Sequence, residues 1–211
     1  MSDGPGRFIT LEGGEGAGKS TQIARLKGWL ESRGRSVVAT REPGGSPGGE
    51  AIRKLLVEGS AERWDGITEA LLHFAARRDH LRAVVWPALK NGAWVVSDRF
   101  ADSTRAYQGY GHGLDLAMLD RLYEAAVGAF RPDLTLVLDL PVETGLARAA
   151  ERRGGEMRYE SLPREFHERV RRGFLEIAKR DPQRCAVIDA TRDIDTIASA
   201  ITRVVADRLG S

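Results

Sequence analysis

The stretch that most restricts what this chain can become is Gly13-Gly14-Glu15-Gly16-Ala17-Gly18-Lys19-Ser20. It matches G-x-x-x-x-G-K-[ST], a glycine turn that cradles phosphate. Arg7 to Glu12 before it alternates apolar and polar residues, as a strand does. After it, Ile23, Leu26, Trp29 and Leu30 recur at helical spacing. Glycines let successive backbone N–H groups turn toward an anion, and the following helix adds free donors and the positive end of its dipole. Lys19 supplies a point charge for the β- and γ-phosphates, and the Ser20 hydroxyl is a ligand for Mg²⁺. Gly13 through Ser20, with Thr21, is therefore the expected nucleoside triphosphate (ATP) site.

The remaining chemistry is narrowed by exclusion. Lys and Arg number 32 against 30 Asp and Glu in 211 residues, so no charge excess argues for a nucleic-acid or membrane partner. No apolar run approaches the ~20 residues that span a bilayer, and the first six residues lack the apolar core of a signal peptide. A single cysteine, Cys185, permits no internal disulfide, so a cytoplasmic, reducing location is expected. The four histidines, 73, 80, 112 and 167, show no zinc-ligand spacing and read as packing or surface residues.

Strands and helices alternate along the chain. Strands are expected at 36–40, 94–97, 134–138 and 185–188, and helices at 50–58, 67–91 (kinked at Pro87), 116–129, 164–180 and from Ile194 onward. Five strands with intervening helices predict an α/β fold of the P-loop NTPase type. Its five-stranded parallel sheet would be covered on both faces within one domain spanning 1–211. Ligands in such folds bind beyond the carboxyl ends of the strands. That rule selects Glu12 to Ser20, Arg41 to Pro43, Asp98 to Phe100, Asp139, and Asp189 to Thr191.

Asp98 is placed to hold Mg²⁺ with Ser20, and Arg99 to grip a second phosphate through its planar fork. Arg41, Arg53, Arg77 and Arg78 add positive charge near the same strand ends. Arg148 to Arg158 carries four arginines around Gly154-Gly155 and reads as a short lid, about 148–160. A hydroxyl acceptor would call for a carboxylate base. A phosphate monoester, with its second pKa near 6, is already a dianion at neutral pH and needs cations instead. An arginine-rich site fits the second case.

These residues resemble the bacterial thymidylate kinase family. The resemblance rests on the P-loop with Glu15, on Arg41-Glu42-Pro43-Gly44-Gly45, and on Phe74-Ala75-Ala76-Arg77. It continues through Asp98-Arg99-Phe100 to Ser103-Thr104-Arg105-Ala106-Tyr107-Gln108-Gly109, and Arg131-Pro132-Asp133 to Asp139. It covers essentially the whole chain. It implies transfer of the ATP γ-phosphate to dTMP, with Mg²⁺, by a homodimer. It places Glu15 on the deoxyribose 3′-hydroxyl, Arg99 on the dTMP phosphate, and Arg53, Arg77, Thr104 and Gln108 near the base. Tyr107 falls near the sugar, and Pro43 and Ser103 complete the pocket. Gly16 stands where part of the family carries a P-loop arginine, so the resemblance puts the catalytic cation in the lid. The candidates are Arg148, Arg152, Arg153 and Arg158, with Arg152 and Arg153 favoured; Lys19, Asp98 and Arg99 complete the catalytic set. His73 occupies the position of a Phe that stacks on thymine in the family. Another nucleoside or nucleoside monophosphate kinase is the alternative. A GTPase-like switch lacks its N-K-x-D segment here.

Overall fold

A computed structural model of the chain describes residues 6–60, 62–151 and 157–210. The strands are β1 (Phe8–Glu12), β2 (Val37–Arg41), β3 (Trp94–Asp98), β4 (Leu134–Asp139) and β5 (Cys185–Asp189). They form one parallel sheet in the order β2-β3-β1-β4-β5. The sequence expectation of five parallel strands holds, and β1 is the central one. The register sets Leu11 beside Asp98, Arg41 beside Asp98 and Glu12 beside Val137. The carboxyl ends of β1, β2 and β3 are therefore level, and their next residues share one edge.

The helices are α1 (Lys19–Ser32), α2 (Pro47–Val57), α3 (Gly66–His80), α4 (Trp86–Lys90), α5 (Ala101–Thr104), α6 (Leu116–Val127), α7 (Val142–Ala150), α8 (Met157–Glu160), α9 (Arg164–Arg180) and α10 (Ile194–Leu209). Strand alternation sends Ile9, Leu11, Val96, Leu134, Leu136 and Leu138 to one face, against Ile23, Leu26 and Leu30 of α1 and Ile197, Ile201 and Val205 of α10. On the other face Phe8 and Val95 pack against Phe74, Leu119 and Tyr123, while Val137 and Cys185 meet Phe166, Val170 and Phe174 of α9. Cys185 is buried and free.

Two helices differ from their expected bounds. The second starts at Pro47 rather than Glu50, because Ser46 caps it by accepting from Gly49 N–H at 3.1 Å and Pro47 occupies its first turn. The long helix expected over 67–91 is three pieces: α3, a π-helical turn at Leu81–Val85, and α4. Pro87 has no N–H to give, and the wider turn lies just before it, with Trp86 N–H reaching back to Leu81 O.

The P-loop packs tightly on α7. A Cβ on Gly145 would lie 2.4 Å from the Glu15 carbonyl oxygen, and one on Gly16 would lie 2.0 Å from that of Gly145. Gly145→Ala is expected to lose ~1–3 kcal/mol of stability, the usual cost of overpacking, and to weaken ATP binding by displacing the loop. Urea denaturation and nucleotide titration read the two effects. An unchanged midpoint with unchanged affinity would show that this close approach has no bearing on the loop.

Candidate active site

A cavity of about 380 Å³ opens at the carboxyl ends of β1, β2 and β3. The P-loop lines one side and Arg41, Pro43, Arg53, His73 and Tyr107 line the other. Lys19 Nζ donates to the carbonyls of Gly13 and Gly14 at 3.2 and 3.0 Å. Ser20 Oγ donates to Asp98 Oδ2 at 3.0 Å.

Arg99 stands between the two sides. It is the one non-glycine residue with a positive φ, 70°, among the described residues. For a side chain with Cβ that conformation costs on the order of 1–2 kcal/mol. Its neighbours hold it there. Arg99 N–H donates to Leu11 O, Ser97 Oγ–H donates to Arg99 O, and Phe100 N–H donates to Glu12 Oε1 at 2.7 Å. The guanidinium donates to Gly13 O, Ser103 Oγ, Glu15 Oε1 and Tyr107 OH, at 3.0 to 3.2 Å. Ser103 in turn donates to Glu12 Oε2 at 2.5 Å. Glu12 is completely buried, and burial together with the charge of Asp102 pushes its carboxyl up to about 7.

Electrostatics divide the two P-loop ionisable groups. Burial and then the Arg99 charge hold the Lys19 ammonium down at about 8. Burial alone would raise Glu15, but Arg99, Lys19 and the Tyr107 hydroxyl outweigh it and keep the carboxylate below its ordinary range. Tyr107 OH donates to Glu15 Oε1 at 2.6 Å.

Two buried polar groups of side chains run from the cavity wall into the interior behind it. In the first, Glu42 accepts from Arg77 Nε at 2.8 Å and pairs with His80 Nδ1 at 2.9 Å, ahead of the cis Glu42–Pro43 bond. Arg77 also donates to Phe100 O and Thr104 Oγ1, and its Nη1 is buried without a hydrogen-bond partner among the described residues. Pro43 O accepts from Arg53 at 2.6 Å. In the second, Glu69 pairs with Arg158, accepts from Gln108 Nε2 at 3.1 Å, and lies 3.4 Å from His112 Nε2. His73 Nε2 lies 3.1 Å from Tyr159 OH; burial, then the charge of Arg77, lowers the imidazole to about 3 and keeps it neutral.

Most sequence candidates converge here. Glu15, Gly16, Ala17, Gly18, Lys19, Ser20, Pro43, Arg53, His73, Asp98, Arg99, Ser103, Tyr107 and Gln108 all line the cavity. Arg77 and Thr104 lie behind its wall, joined to each other. Arg152 and Arg153 lie outside the described residues. Of the other two lid candidates, Arg158 is buried on Leu56 O, Ser60 O and Glu69, and Arg148 reaches Ala190 O at 3.5 Å. The sequence reading placed Glu12 and Glu42 at the ligand-binding strand ends, and did not single out Glu69 or Tyr159. Glu69, His73 and Arg77 recur every four residues, a one-face spacing that marks Glu69 as their neighbour.

This is the architecture of a P-loop phosphotransferase, with the donor loop and an arginine-bearing pocket on one edge of the sheet. The chain belongs to the thymidylate kinase family, whose model, "Thymidylate kinase", matches residues 11–201. It is 58% identical over 205 residues to a thymidylate kinase of Caulobacter vibrioides, covering 97% of this chain and 98% of that one. A thymidylate kinase of Jannaschia sp. is 51% identical over 205 residues, with the same coverage. Among solved structures, the thymidylate kinase of Ehrlichia chaffeensis superposes with a TM-score of 0.77 at 34% identity, covering 96% of this chain and 99% of that chain.

The lowered Lys19 sets a pH signature. Near pH 8 roughly half of the unliganded lysines are neutral, against an ordinary value near 10.4. Nucleotide phosphates restore the ammonium, so binding takes up protons from about pH 8 upward and takes up few below pH 7, where the group is already charged. Calorimetric titration in two buffers of different ionisation enthalpy reads this uptake. Lys19→Met is expected to abolish it, and equal uptake by that variant would assign it to another group.

Proposed function

We propose that the chain transfers the γ-phosphoryl group of ATP to dTMP, giving ADP and dTDP for dTTP synthesis. The observation that carries this reading is that Arg99 and Lys19 line one cavity and both donate to Gly13 O, so that neighbouring cations can serve a donor and an acceptor phosphate together. The acceptor phosphate, with a pKa near 6, needs no base at neutral pH. The requirement is to bring two repelling anions together and neutralise the transferring group.

The roles divide along the cavity. Gly13 to Thr21 hold the ATP phosphates, with Lys19 on the β- and γ-groups. Arg99 binds the dTMP phosphate, Glu15 accepts from the 3′-hydroxyl, and Tyr107, Ser103 and Pro43 flank the sugar. His73, Arg53, Arg77, Thr104 and Gln108 serve the base. Arg77 Nη1, buried without a hydrogen-bond partner among the described residues, is its remaining donor for a base carbonyl. Arg152 and Arg153, in the segment 148–160, are the candidates for the cation that meets the transferring phosphoryl. The Ser20 hydroxyl and Asp98 carboxylate, 3.0 Å apart, are the hard oxygen donors that Mg²⁺ prefers and would hold it together with the phosphates. When bound, Mg²⁺ supplies charge neutralisation at the β- and γ-oxygens. A free Cys185 and ATP as donor favour a cytoplasmic location. The resemblance implies a homodimer, and Ile67 and Leu71, one turn apart on α3 and about half exposed, offer an apolar face for it.

A coupled ADP-release assay with dTMP, dUMP, dCMP, dGMP and thymidine tests the reaction. Turnover is expected with dTMP and absent with thymidine, which has no phosphate for Arg99; the reverse order would sink the reading. Arg99→Ala is expected to lower kcat/KM for dTMP by at least ~100-fold, as loss of a charge-assisted contact in a water-poor site does. A near-normal value would remove Arg99 from the acceptor site.

A further inference from the structure

Gln108 lies in the π-helical turn Arg105–Gly111 that continues α5, is completely buried, and lines the cavity. A side-chain amide has one acceptor end and one donor end, and a base-reading site depends on which end faces the ligand. Here the choice is made from behind. Gln108 Nε2 donates to Glu69 Oε2 at 3.1 Å, and an ionised carboxylate only accepts. Glu69 is buried, and His112, Arg158 and Gln108 together outweigh that burial and hold its carboxyl at about 2, so it stays ionised. The amide donor end is thereby engaged, and Oε1, buried without a partner among the described residues, is the acceptor end that remains for a ligand.

We infer that Glu69 is a specificity-determining positioning residue, which locks Gln108 as an acceptor and so selects pyrimidines that carry an N3–H. This rests on the assignment of Gln108 to the base in the proposed function. Thymine and uracil present N3–H as a donor. Cytosine presents an N3 lone pair, which would oppose Gln108 Oε1. A buried site with a fixed hydrogen-bonding group rejects the mismatched ligand because both groups lose their partners. Arg158 bears on the other oxygen and does not set which end of Gln108 meets Glu69: it pairs with Glu69 Oε1, and donates to Leu56 O in α2 and to Ser60 O just after it.

The same geometry states what Glu69→Gln does. Arg158 is a pure donor, so it keeps the new amide oxygen on its own side and turns the new NH₂ toward Gln108. Gln108 must then present its oxygen to residue 69 and its NH₂ to the cavity, which suits cytosine. The ratio of kcat/KM for dTMP over dCMP is expected to fall at least ~10-fold in E69Q, the scale of one buried polar mismatch. Arg158→Met removes the ion pair and leaves the acceptor carboxylate, so its ratio is expected to stay near that of the unaltered protein even where stability drops. An unchanged ratio in E69Q, or an equal fall in R158M, would overturn the inference.

Gln108→Leu separates this inference from the reading beneath it. If Q108L leaves the KM for dTMP unchanged, Gln108 does not serve the base. If Q108L raises KM but E69Q keeps its ratio, Glu69 alone is misassigned. Should E69Q not fold, the unaltered protein bound to dTMP gives the second measurement. The ¹⁵N-labelled side-chain amide protons of Gln108, identified by their loss in Q108L, are expected to be slow to exchange; a rapidly exchanging amide would overturn the proposal.

Discussion

The placement of Arg99 in the cleft depends on one buried carboxylate. Glu12 ends the central strand, and both its oxygens are committed, one to Phe100 N–H and one to Ser103 Oγ–H. The first bond fixes the peptide just after Arg99, and the second turns the Ser103 oxygen toward the Arg99 guanidinium. A residue with Cβ and a positive φ persists only where its surroundings over-determine it. Glu12 supplies that determination from the strand that also launches the P-loop. The P-loop and Arg99 are thus referred to the same strand.

The buried pairs behind the wall follow a similar logic. Glu42–Arg77 and Glu69–Arg158 each place two charges that are 1 to 3% exposed. Pairs of this kind often gain no more stability than well-packed apolar residues would, since desolvation offsets attraction. Their value here is orientation. Glu42 joins the loop after β2 to α3 through Arg77 and His80. Glu69 joins α3 to α8 and to the π-helical turn at Arg105–Gly111. A π-helical turn carries Tyr107 and Gln108, where the wider spiral re-aims side chains that an α-helix would hold in regular rows.

The sheet, its strand count and most of the cavity lining were legible in the sequence, because strand periodicity and the rule of carboxyl-end binding both act locally. The glycine turn announced itself for the same reason: its conformations need glycine. What stayed hidden were partners distant in sequence. Nothing around Glu12 distinguishes a buried clamp from a strand-end base, because Phe100 and Ser103 are 88 and 91 residues away. Arg158 reads as one of four lid arginines until its partner on α3 is known. Pro87 signalled a break in the long helix, but not that a π-helical turn at Leu81–Val85 would precede it.

The charge arrangement finally explains why donor and acceptor sites belong in one cavity. Lys19 and Arg99 repel each other in a poorly hydrated cleft, and that repulsion, after burial, is the main force lowering the lysine. Glu15 and Asp98 offset it only in part. Each phosphate that enters relieves the repulsion for both cations. An anion bound at Arg99 therefore leaves Lys19 more firmly charged. In the proposed reaction this cation pair offsets the repulsion between the two phosphates, and the dianionic acceptor needs no general base.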